Sequence, residues 1–313
     1  MTSLIRTALL GMCMGVAEVV PGVSGGTIAF IGGIYERLIN AIRQFTPMLL
    51  VDLRRERLAT VWQRVDGTFL VLLFSGMLLA IVLFASLIGY LMTNEPVALW
   101  SFFLGLVFAS VWIVPRRVER FRLELLAPLI LGSLAGVYLT SFSQVDLPHT
   151  LPYVFMGGAV AVCAWILPGL SGSFLLLILG LYAYVIDAIR QFDLVVLATL
   201  AAGCALGLMV FSQFLSWLFS RFRDETLMVL TGFMLGSLGK LWPWKVTVTY
   251  RIRSDGSQMP LAQESVLPAE YELATGLDPQ LLLAIASVAA GVVLVALLQR
   301  FGRQSDGATD TST

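Results

Sequence analysis

The chain has 313 residues, of which 58% are apolar and only 13% are charged, a balance far from that of a soluble domain. Lysine plus arginine equals aspartate plus glutamate at 20 each, so no basic surface indicates binding to nucleic acid. The single histidine, His149, excludes a histidine-rich metal site, and no cofactor-binding motif is present. We therefore expect an integral membrane protein whose partners are membrane lipids.

Six apolar runs are long enough, or nearly so, to cross about 30 Å of hydrocarbon at about 1.5 Å per residue. They are residues 69–92, 97–114, 125–142, 194–219, 227–241 and 281–298. Two further apolar regions, residues 4–45 and 151–192, are each interrupted midway by proline, glycine and serine, which no continuous helix tolerates. Each of these regions is predicted to form two short helices that meet at a break.

The two interrupted regions are copies of one another. An offset of 147 residues aligns residues 21–45 with residues 168–192, and 13 of these 25 positions are identical. Downstream of these regions, the two halves of the sequence continue to match at an offset of 127 residues. This internal duplication predicts a first repeat over residues 1–145, a second over residues 146–303 and a disordered tail over residues 304–313.

Each repeat holds one broken region and three spans, so the second repeat enters from the opposite face if the broken regions are re-entrant hairpins. Fourteen basic residues then lie on one face and five on the other, with Arg37 inside a hairpin. The basic face, with both termini, is predicted to be cytoplasmic. The alternative is that each broken region crosses fully, which gives eight spans and parallel repeats but moves several arginine clusters outside. The favoured fold is an all-α integral membrane protein of two inverted repeats, each a re-entrant hairpin followed by three transmembrane helices.

Each break places polar backbone at membrane depth, where it survives only against protein or a polar cavity. Glycines permit close approach of a ligand, and hydroxyls with free N–H groups at a helix start favour an anion such as a phosphate or carboxylate. The candidate binding residues are Ser24, Gly25, Gly26, Thr27, Ser171, Gly172 and Ser173, and the helix breaks are Pro21, Gly22, Pro168 and Gly169. The alternative is close helix packing without a ligand, which does not require a broken helix.

Glu18 precedes the first break within an apolar run, where an ionisable residue is costly and therefore a functional candidate. We expect it to carry a proton for coupling, because protonation removes its repulsion of an anionic ligand. The alternative is a carboxylate satisfied by neighbouring hydroxyl or N–H groups. Its counterpart in the second copy is Trp165. Arg43 and Arg190 end the two hairpins and are predicted to receive a headgroup at either face, or else to be ordinary interfacial arginines.

Four motifs together resemble those of the PopT-type undecaprenyl-phosphate translocases, a bacterial membrane family. They are Gly11-x-x-x-Gly15-x-Ala17-Glu18, residues 21–27, residues 167–173, and Gly236-Ser237 with residues 241–244. The resemblance covers nearly the whole chain and implies return of undecaprenyl phosphate from the outer to the cytoplasmic leaflet of the bacterial inner membrane, for cell-envelope polymer synthesis. It also implies that the loop residues named above bind the phosphate, with Glu18 in the acidic position; the roles of Arg43 and Arg190 are our own inference.

No catalytic constellation or nucleotide-hydrolysis loop is found, so a transporter is predicted rather than an enzyme. Rocking of the two repeats would expose the binding site alternately to the two membrane faces. A secondary transporter of a small soluble anion uses the same arrangement, and a lateral opening to lipid would distinguish the two. A third alternative is a non-transporting membrane scaffold. The sequence predicts neither the coupling ion nor an oligomeric state.

Overall fold

The chain combines long apolar helices with groups of short ones. The computed structural model describes residues 2–20, 23–118, 122–142, 145, 147–252 and 258–306. The first half contains α1 (Thr2–Val19), α2 (Gly25–Ile31), α3 (Tyr35–Ile42), α4 (Met48–Arg55), α5 (Leu58–Arg64), α6 (Gly67–Asn94), α7 (Pro96–Ile113) and α8 (Leu126–Ser141). The second half contains α9 (Leu151–Ile166), α10 (Gly172–Ile178), α11 (Tyr182–Gln191), α12 (Leu194–Arg221), α13 (Arg223–Ser237), β1 (Lys245–Ile252), β2 (Gln258–Ser265), α14 (Pro268–Thr275) and α15 (Leu281–Asp306).

Five helices in the described part of the chain are long and apolar enough to cross a bilayer. They are Gly67–Asn94, Pro96–Arg116, Leu123–Ser141, Leu194–Arg221 and Leu281–Gln299, which coincide with five of the predicted spans to within a few residues. The sixth predicted span, residues 227–241, is covered by α13 and the 3-10 turn that follows it, but α13 alone has 15 residues, or about 22 Å, and is not among these five helices. Large side chains such as Val82, Leu131 and Leu282 are exposed, as lipid-facing helices require. The predicted all-α membrane fold is confirmed.

Each interrupted region contains three helices rather than the predicted two. The predicted break separates α1 from α2 and α9 from α10, and a second break follows each short helix. Gly33 and Gly180 mark these second breaks at equivalent positions of the two copies, with φ of 74° and 72°. Positive φ is inexpensive only for glycine, so both short helices end here. As a result α10 and α11 meet at an angle of 109°.

The polar segment over residues 243–279 contains regular structure in its described part. β1 and β2 form an antiparallel hairpin, and α14 follows. The indole N–H groups of Trp242 and Trp244 donate to the backbone oxygens of Val266 and Pro279, each at 2.8 Å. These bonds hold the segment against the end of the bundle where α7 and α15 begin, which we call the β-hairpin face.

The two copies of the broken region pack in the same way against the long helix that follows them. Gly76 of α6 lies against the carbonyl of Ala8 in α1, and the equivalent Gly203 of α12 lies against the carbonyl of Phe155 in α9. A methyl group on either glycine would come within 2.3 and 2.0 Å of these oxygens. Backbone therefore packs directly on backbone in both copies, as small residues allow in membrane helices.

The remaining spans pack between the halves rather than within them. α7 packs on α15, and α13 packs on α8. Gly105 of α7 lies against the carbonyl of Val288 in α15, and the equivalent Gly232 of α13 lies against the carbonyl of Leu129 in α8. Each half thus contributes one helix to each pair, so the two halves interlock.

Candidate functional site

The two broken loops contact each other inside the bundle, through residues 24–27 of the first copy and residues 165–169 of the second. Thr27 is fully buried at the start of α2, and its Oγ1 accepts a hydrogen bond of 2.9 Å from the backbone N–H of Gly169. The Ser24 hydroxyl points at the backbone oxygens of Trp165 and Leu167, at 3.1 and 3.4 Å. The structure therefore brings together predicted site residues that lie more than 140 positions apart.

The polar groups of the first loop are largely bound by the protein itself. Ser24 caps α2 by accepting a hydrogen bond of 3.0 Å from the N–H of Gly26. Glu18 lies in the last turn of α1, and its Oε1 accepts a hydrogen bond of 2.6 Å from the N–H of Gly25. Two of the predicted anion-binding N–H groups are thus already occupied, and one of them holds a carboxylate, which is itself an anion.

The side chain of Trp165 lies close enough to Glu18 to stabilise its carboxylate. The two residues are counterparts in the alignment of the copies, so equivalent positions meet in space. Trp165 in turn stacks on Phe74 of α6, with ring centroids 6.3 Å apart. The sequence identified Trp165 only as the counterpart of Glu18 and did not predict that the two side chains would meet.

The break in the second loop is fixed by sterics. Pro168 and Gly169 are buried, and Gly169 has a φ of +87°. A side chain at position 169 would also come within 2.8 Å of the Cα of Met234 in α13. Glycine is therefore required there on both grounds. Pro21 and Gly22, the predicted break of the first loop, lie outside the described residues.

The second loop keeps more unused hydrogen-bonding capacity than the first. Ser171 is buried but makes no capping hydrogen bond to α10, in contrast to Ser24 in the first loop. Its Oγ lies 2.8 Å from the Oγ of Ser173. Gly172 lies against the carbonyl of Ala161, so the backbone here is closely packed. In a hydroxyl pair one proton joins the two oxygens and the other remains available to a ligand.

The two hairpin arginines have unequal environments, and neither forms a hydrogen bond with a described loop residue. Arg43 donates from Nη1 to the Oγ of Ser216 in α12 at 2.6 Å, and Ser216 also bonds to Asn40. Arg190 is exposed, and its Nη1 lies 3.9 Å from Oδ1 of Asp187 one turn earlier. Arg43 therefore links α3 to α12, whereas Arg190 remains at the surface.

An apolar cavity of about 480 Å³ lies between α6 and α12. Phe45, Val71 and Leu78 line it and are exposed, so the cavity opens toward the lipid-facing surface. Phe74, which stacks on Trp165, lines it as well. The cavity thus extends from the surface to Phe74, whose ring separates it from Trp165 beside the loop site.

The sequence matches, over residues 14–259, a protein family described as VCA0040-like, undecaprenyl phosphate translocase-like. A polyprenyl-phosphate transporter of Vibrio cholerae serotype O1 is 45% identical over 300 residues, which cover 96% of this chain and 97% of that protein. A polyprenyl-phosphate transporter of Staphylococcus aureus is 29% identical over 261 residues, which cover 75% of this chain and 85% of that protein. No solved structure matches the chain. The chain belongs to the undecaprenyl phosphate translocase-like family.

Proposed function

We propose that this protein transfers undecaprenyl phosphate from the outer to the cytoplasmic leaflet of the bacterial inner membrane, and so returns the lipid carrier for cell-envelope polymer synthesis. The observation that carries the proposal is the contact between the two broken loops, which gathers hydroxyl groups and polar backbone inside a lipid-facing bundle. The relatives' names supply the substrate class. No covalent step is required, so the role is that of a transporter rather than an enzyme.

The phosphate is proposed to bind where the loops meet. The residues proposed for it are Ser24, Gly25, Gly26 and Thr27 from the first copy and Ser171, Gly172 and Ser173 from the second. The pair of Ser171 and Ser173 is the natural first contact, because its hydroxyls bond to each other and retain a free proton. The first-loop donors become available only when their present acceptors leave.

Glu18 would couple proton movement to lipid binding. Its carboxylate holds the N–H of Gly25, a donor of the kind that binds a phosphate oxygen. A hydrogen bond to an ionised acceptor is roughly twice as strong as one to a neutral acceptor, so protonation of Glu18 would weaken its hold on Gly25. Protonation would also remove the repulsion between Glu18 and the phosphate. The phosphate would thus replace the carboxylate of Glu18 at the N–H of Gly25. Binding of each lipid would then be linked to the uptake of one proton by Glu18.

The apolar cavity favours a lipid substrate over a small soluble anion. It opens toward lipid, and its wall at Phe74 contacts Trp165 of the loop site. An isoprenoid chain can lie in such a cavity while its phosphate reaches the loops, whereas a soluble anion has no use for an apolar side entrance. Arg43 lies next to the lining residue Ile42 and would receive the headgroup at the cytoplasmic face, and Arg190 would do so at the outer face.

The two copies are proposed to be inverted repeats, with both termini in the cytoplasm. The excess of basic residues on one face supports this orientation. The contact between Glu18 and Trp165 supports a two-fold relation, because counterparts touch where a two-fold axis passes between them.

Rocking of one whole half against the other does not suit the interlocked helices. It would separate α7 from α15 and α8 from α13, where backbone packs on backbone. We propose instead that the short helices α2 and α10 move, with Gly33 and Gly180 as hinges that accommodate the change in backbone angles.

The test is leaflet transfer of undecaprenyl phosphate by purified protein in liposomes. We expect transfer by the native protein, about tenfold slower transfer by Ser171→Ala after loss of one hydrogen bond to a charged group, and a changed pH dependence for Glu18→Gln. Ser220→Ala removes an exposed hydroxyl from α12 and serves as the control. Uptake of inorganic phosphate without lipid transfer would favour the soluble-anion transporter, and no transport of either would contradict both.

A further inference from the structure

The chain has only two lysines, Lys240 and Lys245, and they contact each other. The other 18 of its 20 basic residues are arginines. Lys240 lies in the 3-10 turn after α13, and Lys245 begins β1. The ammonium of Lys245 donates to the backbone oxygen of Lys240 at 2.6 Å, which holds the Lys245 side chain against the turn that carries Lys240.

Each ammonium group lies over an aromatic ring. Nζ of Lys245 is 3.8 Å from the ring centroid of Trp100 in α7, and Nζ of Lys240 is 5.0 Å from that of Phe174 in α10. A ring face attracts a cation without neutralising its charge. These contacts therefore position both ammonium groups and leave their charge available to an anion.

Neither lysine has a carboxylate partner among the ion pairs of the described residues. The pKa of Lys245 is lowered to about 7, chiefly because burial disfavours its charged form and also because Lys240 repels it. An anion between the two side chains would stabilise both charges.

The lysines adjoin the second loop. Phe174, which lies under Lys240, directly follows Ser173 of the hydroxyl pair. The end of α13 packs on the loop, since Ser237 and Met234 lie against Gly169. The turn that carries Lys240 follows Ser237 directly and precedes β1, so it connects the part of α13 that contacts the loop to the β-hairpin face.

We propose that Lys240 and Lys245 form an entry site for a phosphate monoester, which captures the anion on the β-hairpin side and passes it to Ser171 and Ser173. The inference rests on the proposed function and adds to it two cations that neither the resemblance nor the predicted site includes. Compact ammonium groups suit this task because they bind phosphate as point charges and release it readily to a second site.

The scarcity of lysine makes the site directly observable. Reductive methylation of the purified full-length protein with ¹³C-formaldehyde labels only Lys240, Lys245 and the N-terminal amine, and it preserves their charge. NMR signals of the two lysines are assigned with Lys240→Gln and Lys245→Gln. The protein in detergent is then titrated with undecaprenyl phosphate, undecaprenol and inorganic phosphate.

We expect undecaprenyl phosphate to move both lysine signals and undecaprenol to leave them in place. Each glutamine variant should weaken binding about tenfold, as loss of one charged hydrogen bond predicts, and Arg57→Gln on the basic face should leave it unchanged. If inorganic phosphate also moves the lysine signals, the site binds the free anion. If undecaprenyl phosphate alone moves them, the site binds a lipid headgroup. No movement with either phosphate, or equal movement with undecaprenol, overturns the proposal.

Leaflet transfer by the same preparations separates this inference from the proposed function. Transfer by the native protein with unmoved lysine signals would contradict the entry site and leave the translocase intact. Moved signals without transfer would support the anion site and contradict the translocase.

Discussion

Thr27 gives a sharp test of whether the two loops hold each other. Its Oγ1 is the acceptor for the buried N–H of Gly169, at 2.9 Å. Valine has nearly the same shape but no acceptor, so Thr27→Val leaves that N–H unpaired, at a cost of about 1–3 kcal/mol. Thr27→Ser keeps the hydroxyl and loses one methyl group, which costs about 1 kcal/mol.

Thermal unfolding in detergent, followed by tryptophan fluorescence, measures the difference. Each kcal/mol shifts the melting temperature by about 2–4 °C for chains of 150–250 residues, so Thr27→Val should melt several degrees below the native protein. Thr27→Ser should lie between the two. A valine variant as stable as the native protein would refute the bond between the loops as a stabilising contact.

Three further predictions test other parts of the structure. Gly76→Ala should lower the melting temperature, because its methyl group would clash with a carbonyl oxygen of α1. Gly89→Ala in the same helix meets open space and should leave the melting temperature unchanged. Equal melting temperatures of the two variants would argue against this packing. Arg43→Gln should destabilise the protein by about 1.5–3 kcal/mol, because it loses a charged hydrogen bond to Ser216. Arg190→Gln breaks only an exposed ion pair and should cost under about 0.5 kcal/mol. Similar losses of stability in both variants would contradict the unequal roles of the two arginines. The ¹³C-methyl signal of Lys245 should shift with a midpoint near pH 7, where its ammonium loses a proton as the pH rises. Bound phosphate should raise that midpoint, and a midpoint near the ordinary pKa of 10.5 would contradict the burial of Lys245.

The first break in each copy was predictable because proline and glycine exclude a continuous helix on covalent grounds alone. The second break was not, because a single glycine such as Gly33 is tolerated inside a helix. Its positive φ depends on how α3 packs, which is a tertiary effect. Identity between the copies at Gly33 and Gly180 was the signal available, and it did not distinguish a turn from close packing.

The candidate loops were found from sequence, but their internal bonding was not. Whether an N–H at a helix start faces a ligand or a protein side chain depends on contacts between distant residues, such as Glu18 with Trp165. In the sequence, Lys240 and Lys245 are typical of an interfacial belt or of a basic-aromatic rim that binds a lipid phosphate. The sequence does not decide between the two, because only the approach of α7 and α10 places aromatic rings under both lysines.

The pairing of Glu18 with Trp165 also explains why two copies of one loop have come to differ. A two-fold relation brings a position against its own counterpart, so an unchanged duplication would place two carboxylates or two indoles together. Two carboxylates repel each other, and two indole N–H groups offer donors without an acceptor. One of each avoids both conflicts. That choice gives the first loop a carboxyl group at Gly25 and leaves the second loop with its hydroxyl pair. The proposed division of roles between coupling and binding would then follow from the contact between the copies.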